Sequence, residues 1–168
     1  MTIRAFPHQH DEMVAIAEAI LTTVKARIET SSSDADSQLP ALRMALSRQV
    51  ATHCAAEVEL LQEHLKLNPK VAVDSAPLIR RFFDELLSWR CSLMECNASW
   101  PAKRIAQEPQ GFVEVFTPLV EALRARVAWE ESEFYPRVLG RTITRRPAAS
   151  AIRPPLLSGC GSRGTVAA

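Results

Sequence analysis

The sequence predicts an all-α protein, folded as an up-down-up-down antiparallel four-helix bundle. Apolar residues recur at spacings of three and four along four segments of the chain, which is the period of an amphipathic helix. Strand-like alternation of apolar and polar residues is missing from the sequence, and 5 glycines occur in 168 residues. Because the connections between the segments are modest in length, successive helices are expected to pack antiparallel around a shared core.

Polar stretches and prolines set the expected helix boundaries. The polar run 31–37 separates the first two segments, with Ser37 as a candidate N-cap and Pro40 in the first turn of the second helix. Pro118 is expected to kink the fourth helix or to mark a late start, and Pro136 to end it or bend its last turn. The four predicted helices cover residues 8–30, 39–66, 76–99 and 110–138.

The composition suits a single cytoplasmic domain. Residues 1–140 are predicted to form the bundle, and residues 141–168, which have no helical period and contain Pro and Gly, to form a disordered tail. The 20 basic and 19 acidic residues give a net charge of +1, which favours no nucleic-acid partner. The apolar runs are too short for a membrane helix, and residues 1–13 lack the apolar segment of a signal peptide.

Patterns typical of enzymes are not found in the sequence. It shows no Ser/His/Asp set, no nucleophilic Cys beside a His and no phosphate-binding Gly-rich loop. The four cysteines form neither a CxxC pair nor a disulfide framework. We therefore expect a protein that is not an enzyme, and the sequence leaves its oligomeric state open.

The most informative feature is the pair His53 and Glu57 on the second helix. Residues four apart are separated by about 40° of rotation and ~6 Å of rise, so both side chains can reach one ion. Both lie on the predicted buried stripe, as Glu130 does on the fourth helix. Buried polar groups are costly unless they are paired or bound to something. The alternatives are a metal-ligand pair, a buried His–Glu hydrogen bond, or an ion pair between Glu57 and Arg126 across the core.

Arg126 lies one turn before Glu130 and on the same face of the fourth helix. A guanidinium there can neutralise the carboxylate of Glu57 or Glu130, and we expect it to compete with a cation for the same oxygens. His53, Glu57, Arg126 and Glu130 should all point into the bundle. Glu131 and Glu133 are expected on a solvated face.

These residues together resemble the hemerythrin-like (HHE cation-binding) family. His10-Asp-Glu-Met13 resembles the family's helix-one start, His53 and Glu57 match the helix-two motif, and residues 130–136 match the close of helix four. The resemblance covers about residues 8–139 and implies a four-helix bundle around a di-iron site. It also implies a role in oxygen, nitric-oxide or redox sensing, or in iron handling, with a small diatomic molecule as a ligand.

The chain departs from that family pattern at two places. Arg126 stands where the helix-four His is expected, and the third segment contains no His. The family site needs about five imidazoles and two bridging carboxylates, which the 4 histidines of this chain cannot supply. The remaining ligands would be His10, His53, Glu57 and Glu130. They suit one ion, iron by resemblance, with Mn and Zn left open. The alternative is a metal-free helical interaction module whose core carboxylates are neutralised by Arg126.

One prediction concerns the tail, whose composition favours little burial of apolar surface. Removal of residues 145–168 should shift the thermal midpoint by less than about 2 °C, which is well under ~1 kcal/mol for a domain of this size. Thermal unfolding followed by circular dichroism measures this shift, and a much larger decrease would show that the tail packs on the bundle.

Overall fold

A computed structural model describes residues 6–30 and 34–140, nearly all of them helical. The predictions of a tail at 141–168 and of a single domain ending at residue 140 therefore stay predictions. In chain order, the elements are α1 Phe6–Thr30, α2 Asp34–Leu67, α3 Pro69–Asp74, α4 Ala76–Ser99, α5 Ala102–Gln107, α6 Pro109–Trp129, a π-helical segment Glu130–Phe134 and α7 Tyr135–Val138.

Within the described residues, four long helices pack antiparallel, which confirms the predicted fold class. They are α1, α2, α4 and the continuous run of α6, the π-helical segment and α7. Helix α1 packs against α2 and α6, and α4 packs against α6. None of the described helices is both long and apolar enough to cross a membrane.

Helix α1 shows how the helical period builds the core. Its buried residues follow one another at spacings of three and four, so they form a single stripe on one side of the helix. Burial of these side chains against α2 and α6 supplies the main favourable free energy of packing. The stripe consists of Phe6, His10, Met13, Ala17, Ile20 and Val24. One polar side chain, His10, is therefore carried into the core by the same pattern that buries its apolar neighbours.

Two expected proline boundaries were wrong. Helix α2 begins at Asp34, so Pro40 lies inside the helix and Ser37 is not its N-cap. Helix α6 begins at Pro109 and continues through Pro118, so the alternative of a late start at Pro118 was wrong too. Proline interrupts a helix by removing one backbone donor, a local loss that tertiary packing of the flanking turns can offset.

The backbone departs further from an α-helix near Pro136 than near Pro40 or Pro118, since the turn that precedes Pro136 is π-helical. The backbone N–H of Tyr135 donates to the carbonyl of Glu130, five residues earlier. In a regular α-helix these two side chains would point about 140° apart. The wider π turn brings residues five apart onto one face, so Glu130 and Tyr135 both face the interior.

The packing of Trp100 on Gly111 generates a prediction about the fold. A Cβ atom at Gly111 would lie 2.8 Å from Cη2 of Trp100. The indole ring of Trp100 contacts both Phe112 and Arg104. The guanidinium carbon of Arg104 lies 4.1 Å from the centroid of the indole ring. Overpacking of this kind costs about 1–3 kcal/mol, which exceeds the ~1 kcal/mol that Ala gains over Gly in a helix. Gly111→Ala should therefore lower the free energy of unfolding measured in urea, and an unchanged value would show that the indole moves freely.

Candidate metal centre

Four buried polar side chains from three parts of the fold meet in the core. His10 comes from α1, His53 and Glu57 from α2, and Glu130 from the first residue of the π-helical segment. Each is 3% exposed or less. One nitrogen or oxygen atom of each residue lies within 4.8 Å of the corresponding atoms of the other three. The inward orientation predicted for His53, Glu57, Arg126 and Glu130 is thus confirmed, and His10 is buried with them. The role of His10, His53, Glu57 and Glu130 as metal ligands stays a prediction.

The Nε2 atom of His10 lies near the centre of this cluster. It is 3.1 Å from Nε2 of His53, 3.3 Å from Oε2 of Glu130 and 3.4 Å from the hydroxyl of Tyr135. Nε2 of His53 is also 3.6 Å from Oε2 of Glu57. Two imidazole nitrogens and two carboxylate oxygens therefore converge on one small volume.

The outer nitrogens of both imidazoles face acceptors. Nδ1 of His10 lies 2.9 Å from a carboxylate oxygen of Glu131, and Nδ1 of His53 lies 2.9 Å from Oε1 of Gln9. Because both oxygens accept, these contacts assign a hydrogen to each Nδ1 and direct the Nε2 atom of each ring toward the cluster. Two Nε2 atoms 3.1 Å apart need a proton or another cation between them, because two facing lone pairs repel. A proton would satisfy the two rings, and a metal ion would satisfy the rings and both carboxylates at once.

The carboxylate of Glu57 is only half satisfied. The hydroxyl of Tyr135 donates to its Oε1 at 2.5 Å. Its Oε2 is buried and has no hydrogen-bond partner among the described residues. An unpaired buried carboxylate oxygen is costly in free energy, so its position beside two imidazole nitrogens calls for a cation.

Arg126 forms an ion pair with Glu130, whereas Glu57 accepts a hydrogen bond from Tyr135. Its Nη2 forms an ion pair with Oε1 of Glu130, without the alignment of a good hydrogen bond. Its Nη1 donates to the backbone carbonyl of Phe82 at 3.1 Å, and the guanidinium carbon lies 4.9 Å from the centroid of the Phe82 aromatic ring. Arg126 thus binds one of the two carboxylates predicted for it, and the other oxygen of Glu130 faces His10. The expected competition with a cation stays a prediction.

Burial opposes charge throughout the cluster. Desolvation, together with the neighbouring His10 and Arg126, lowers the pKa of His53 to about 3, which keeps its ring neutral. Desolvation raises the pKa of Glu57 despite the hydrogen bond from Tyr135. Desolvation and the nearby Glu57 carboxylate raise the pKa of Glu130 well above its ordinary value, although Arg126 acts in the opposite direction. A divalent cation would oppose both upward pKa shifts, because it favours the ionised carboxylates that burial disfavours.

A small cavity adjoins the cluster on the side of α4. It encloses about 10 Å³ and is lined by His53, Glu57, Arg126 and Glu130 among others, which is the space of a single water molecule. Trp89 and Arg126 also line a groove of about 570 Å³ between α4 and α6. These two side chains therefore separate the buried cavity from a groove that opens to solvent.

Sequence reasoning missed three outer residues of this centre. Glu131, assigned to a solvated face, is mostly buried and binds His10. Gln9 and Tyr135 carried no recognisable signal, because Tyr135 faces the site through a π turn and Gln9 is placed by the approach of α1 to α2. An acidic residue able to orient a ligating His is a general feature of metal sites, and that rule could have identified Glu131.

Comparison with known proteins adds no assignment. No family model matches the chain, and neither a curated protein nor a solved structure matches it. The resemblance to the hemerythrin-like family therefore depends on the residues of the chain itself.

The upward pKa shift of Glu57 generates a prediction for the metal-free protein. A carboxyl whose pKa is raised by folding stabilises the fold at low pH, and this stability is lost as pH rises from 4.5 toward the raised value. The loss is at most about 1.4 kcal/mol per pH unit for one group. Glu57→Gln should keep the acceptor for Tyr135 and make stability less dependent on pH.

Denaturant unfolding of metal-free protein across this pH range measures the effect. Glu59→Gln, on an exposed position of the same helix, serves as the control and should follow the parent. Equal pH dependence in the parent and Glu57→Gln would contradict a costly buried carboxyl at this position.

Proposed function

We propose that this protein is a cation-binding helical bundle in which His10, His53, Glu57 and Glu130 hold one divalent transition-metal ion. The observation that carries the proposal is the convergence of donor atoms in one buried volume. The Nε2 atoms of the two imidazoles face each other at 3.1 Å, and Oε2 of Glu57, which has no hydrogen-bond partner among the described residues, lies beside them. Imidazole nitrogen and carboxylate oxygen are ordinary ligands of Zn, Fe and Mn.

The formal charges around the cluster support a divalent ion. The carboxylates of Glu57, Glu130 and Glu131 and the guanidinium of Arg126 together carry a formal charge of −2 when ionised. One divalent cation would neutralise this set. A second divalent cation would leave it strongly positive in a medium of low dielectric constant, where uncompensated charge is costly.

The resemblance to the hemerythrin-like family implies which ion is bound and what the bound ion does. By that resemblance the ion is iron, and the role is sensing of oxygen, nitric oxide or redox state, or the handling of iron. The groove between α4 and α6 supplies a route of access, since only Trp89 and Arg126 line both it and the inner cavity. A small ligand could reach the site by a movement of these side chains.

The second candidate function is a metal-free interaction module. The ion pair of Arg126 with Glu130 favours it, because this pair neutralises one core carboxylate without any metal. Exposed apolar side chains on α4 provide a contact surface, with Leu87 at 65% and Met94 at 66% exposure. This candidate leaves the unpaired oxygen of Glu57 without an explanation.

Metal analysis of protein purified without an affinity tag tests the main proposal. We expect about one transition-metal ion per chain and a rise of the thermal midpoint on loading. The free energy of unfolding should increase by about 2.7 kcal/mol when the concentration of free ion is a hundred times the Kd. His53→Ala should abolish both effects. The control His64→Ala removes a half-buried imidazole near the end of the same helix and should leave them unchanged. Folded protein that neither contains nor binds an ion would favour the interaction module.

A substitution at Arg126 tests the proposal from the opposite direction. Arg126→His removes a fixed positive charge beside the site and places an imidazole one turn before Glu130. Isothermal titration should therefore show tighter binding of iron or zinc than in the parent, and His53→Ala in the same background should abolish the gain. If Arg126→His binds no more metal than the parent, the metal-free candidate is preferred.

A further inference from the structure

We infer that the site selects a single four-coordinate ion of the Zn²⁺ class, and that Tyr135 and Arg126 favour this by holding the outer oxygen of each carboxylate and directing the other oxygen inward. The inference rests on the proposed cation site and assigns it to Zn²⁺ in place of the iron that the family resemblance implies. Because Zn²⁺ has no redox chemistry, a redox-sensing role would not follow. The inference concerns two residues that do not themselves bind the ion, so they are positioning residues.

Each ligating group has two donor atoms, and in every case one of them is already held by an outer partner. The pairs are His10 Nδ1 with Glu131, His53 Nδ1 with Gln9, Glu57 Oε1 with Tyr135, and Glu130 Oε1 with Arg126. The atoms left for an ion are two Nε2 and two Oε2. Outer partners of this kind orient ligands and tune the affinity of a metal site.

The two carboxylates decide how many ions the site can hold. A carboxylate that bridges two ions, or chelates one, uses both of its oxygens. The hydroxyl of Tyr135 occupies one oxygen of Glu57 at 2.5 Å, and Arg126 occupies one oxygen of Glu130. A carboxylate oxygen that accepts one hydrogen bond keeps a second lone pair, so these contacts orient the carboxylates, while the guanidinium repels a second cation from the Oε1 side of Glu130.

The available space agrees with a single ion. Two metals that share ligands stand about 3.5–4 Å apart and need room for both. The cavity beside Glu57 and Glu130 encloses about 10 Å³, which admits one water molecule. Six-coordination of one ion would need two more ligands than the four protein atoms provide, so the space also disfavours an octahedral ion.

The distances fit a tetrahedral ion. Bonds of about 2.0–2.1 Å at tetrahedral angles place ligand atoms roughly 3.3 Å apart. Three of the six separations between these donor atoms are 3.1 Å from His10 to His53, 3.3 Å from His10 to Glu130 and 3.6 Å from His53 to Glu57, and all six lie within 4.8 Å. Two nitrogen and two oxygen donors in this arrangement suit Zn²⁺, whereas Mn²⁺ and Mg²⁺ favour octahedral oxygen sites.

Cobalt is the probe for this inference, because Co²⁺ in a four-coordinate site absorbs visible light strongly and in a six-coordinate site weakly. The full chain, freed of metal, is titrated with Co²⁺ and then with Zn²⁺ and Mn²⁺. We expect saturation at one Co²⁺ per chain, an intense visible spectrum, displacement by Zn²⁺ and poor displacement by Mn²⁺. The spectrum reports the coordination number of the bound Co²⁺ directly. If Tyr135 and Arg126 served only to stabilise the fold, replacing them would not change this number.

Two variants then remove the outer partners of the carboxylates. Tyr135→Phe removes only the hydroxyl on Glu57, and Arg126→Met removes the charge on Glu130. We expect both to weaken the visible absorption per bound Co²⁺. Tyr135→Phe should lower Zn²⁺ affinity about 10–100-fold, whereas Arg126→Met, which removes a repelling charge, should strengthen the binding of Mn²⁺ more than that of Zn²⁺. The matched control is Arg124→Met, which removes an exposed ion pair with Glu18 two residues earlier on the same helix and should leave the spectrum unchanged.

The outcomes separate this inference from the proposed function. No Co²⁺ binding by the parent chain overturns both. Binding with a weak six-coordinate spectrum, or saturation at two ions per chain, overturns the inference and leaves the cation site standing. An intense spectrum that is the same in Tyr135→Phe and in Arg126→Met shows that neither residue restricts the carboxylates, which also overturns it. If Arg126→Met does not fold, Tyr135→Phe decides alone, since it deletes a single oxygen atom.

Discussion

The structure depends on ionisable side chains that are buried at the point where α1, α2 and the end of the fourth long helix meet. Burying a carboxylate without compensation costs several kcal/mol, so every such group needs a partner or a raised pKa. Arg126 compensates Glu130, and the hydroxyl of Tyr135 satisfies half of Glu57. The free oxygen of Glu57 is what these partners leave over, and it is the strongest physical reason to place a cation here.

The π turn is the backbone feature that makes this arrangement consistent. It shifts the residues after Glu130 around the helix axis, so that Glu130, Glu131 and Tyr135 all lie on the side of His10. A regular helix would direct Tyr135 about 140° away from Glu130. Turns of this kind are uncommon and are often found at functional sites. Pro136, which has no backbone donor, lies just after the turn, where an α-helix would need that donor.

The fold and the inner residues of the site were predictable because both follow from the 3.6-residue period. Apolar spacing gave the four long helices, and the same spacing placed His53, Glu57 and Glu130 on buried stripes. The residues that contact the outer atoms of the imidazoles and carboxylates were harder to predict from this period. Glu131 lies beside Glu130 in sequence and about 100° further round a helical wheel, so it was placed on the solvated face, although its carboxylate reaches Nδ1 of His10. The start of α2 was misplaced for a different reason, since proline rules describe local preference and packing can override them.

The two candidate functions make different use of Glu130. Arg126 contacts Oε1, whereas Oε2 faces the nitrogen of His10. A fixed cation and a bound cation could therefore share one carboxylate, each on its own oxygen. The ion pair with Arg126 does not by itself exclude a cation from the cluster, but its fixed charge lowers the number of further positive charges that the buried carboxylates can balance.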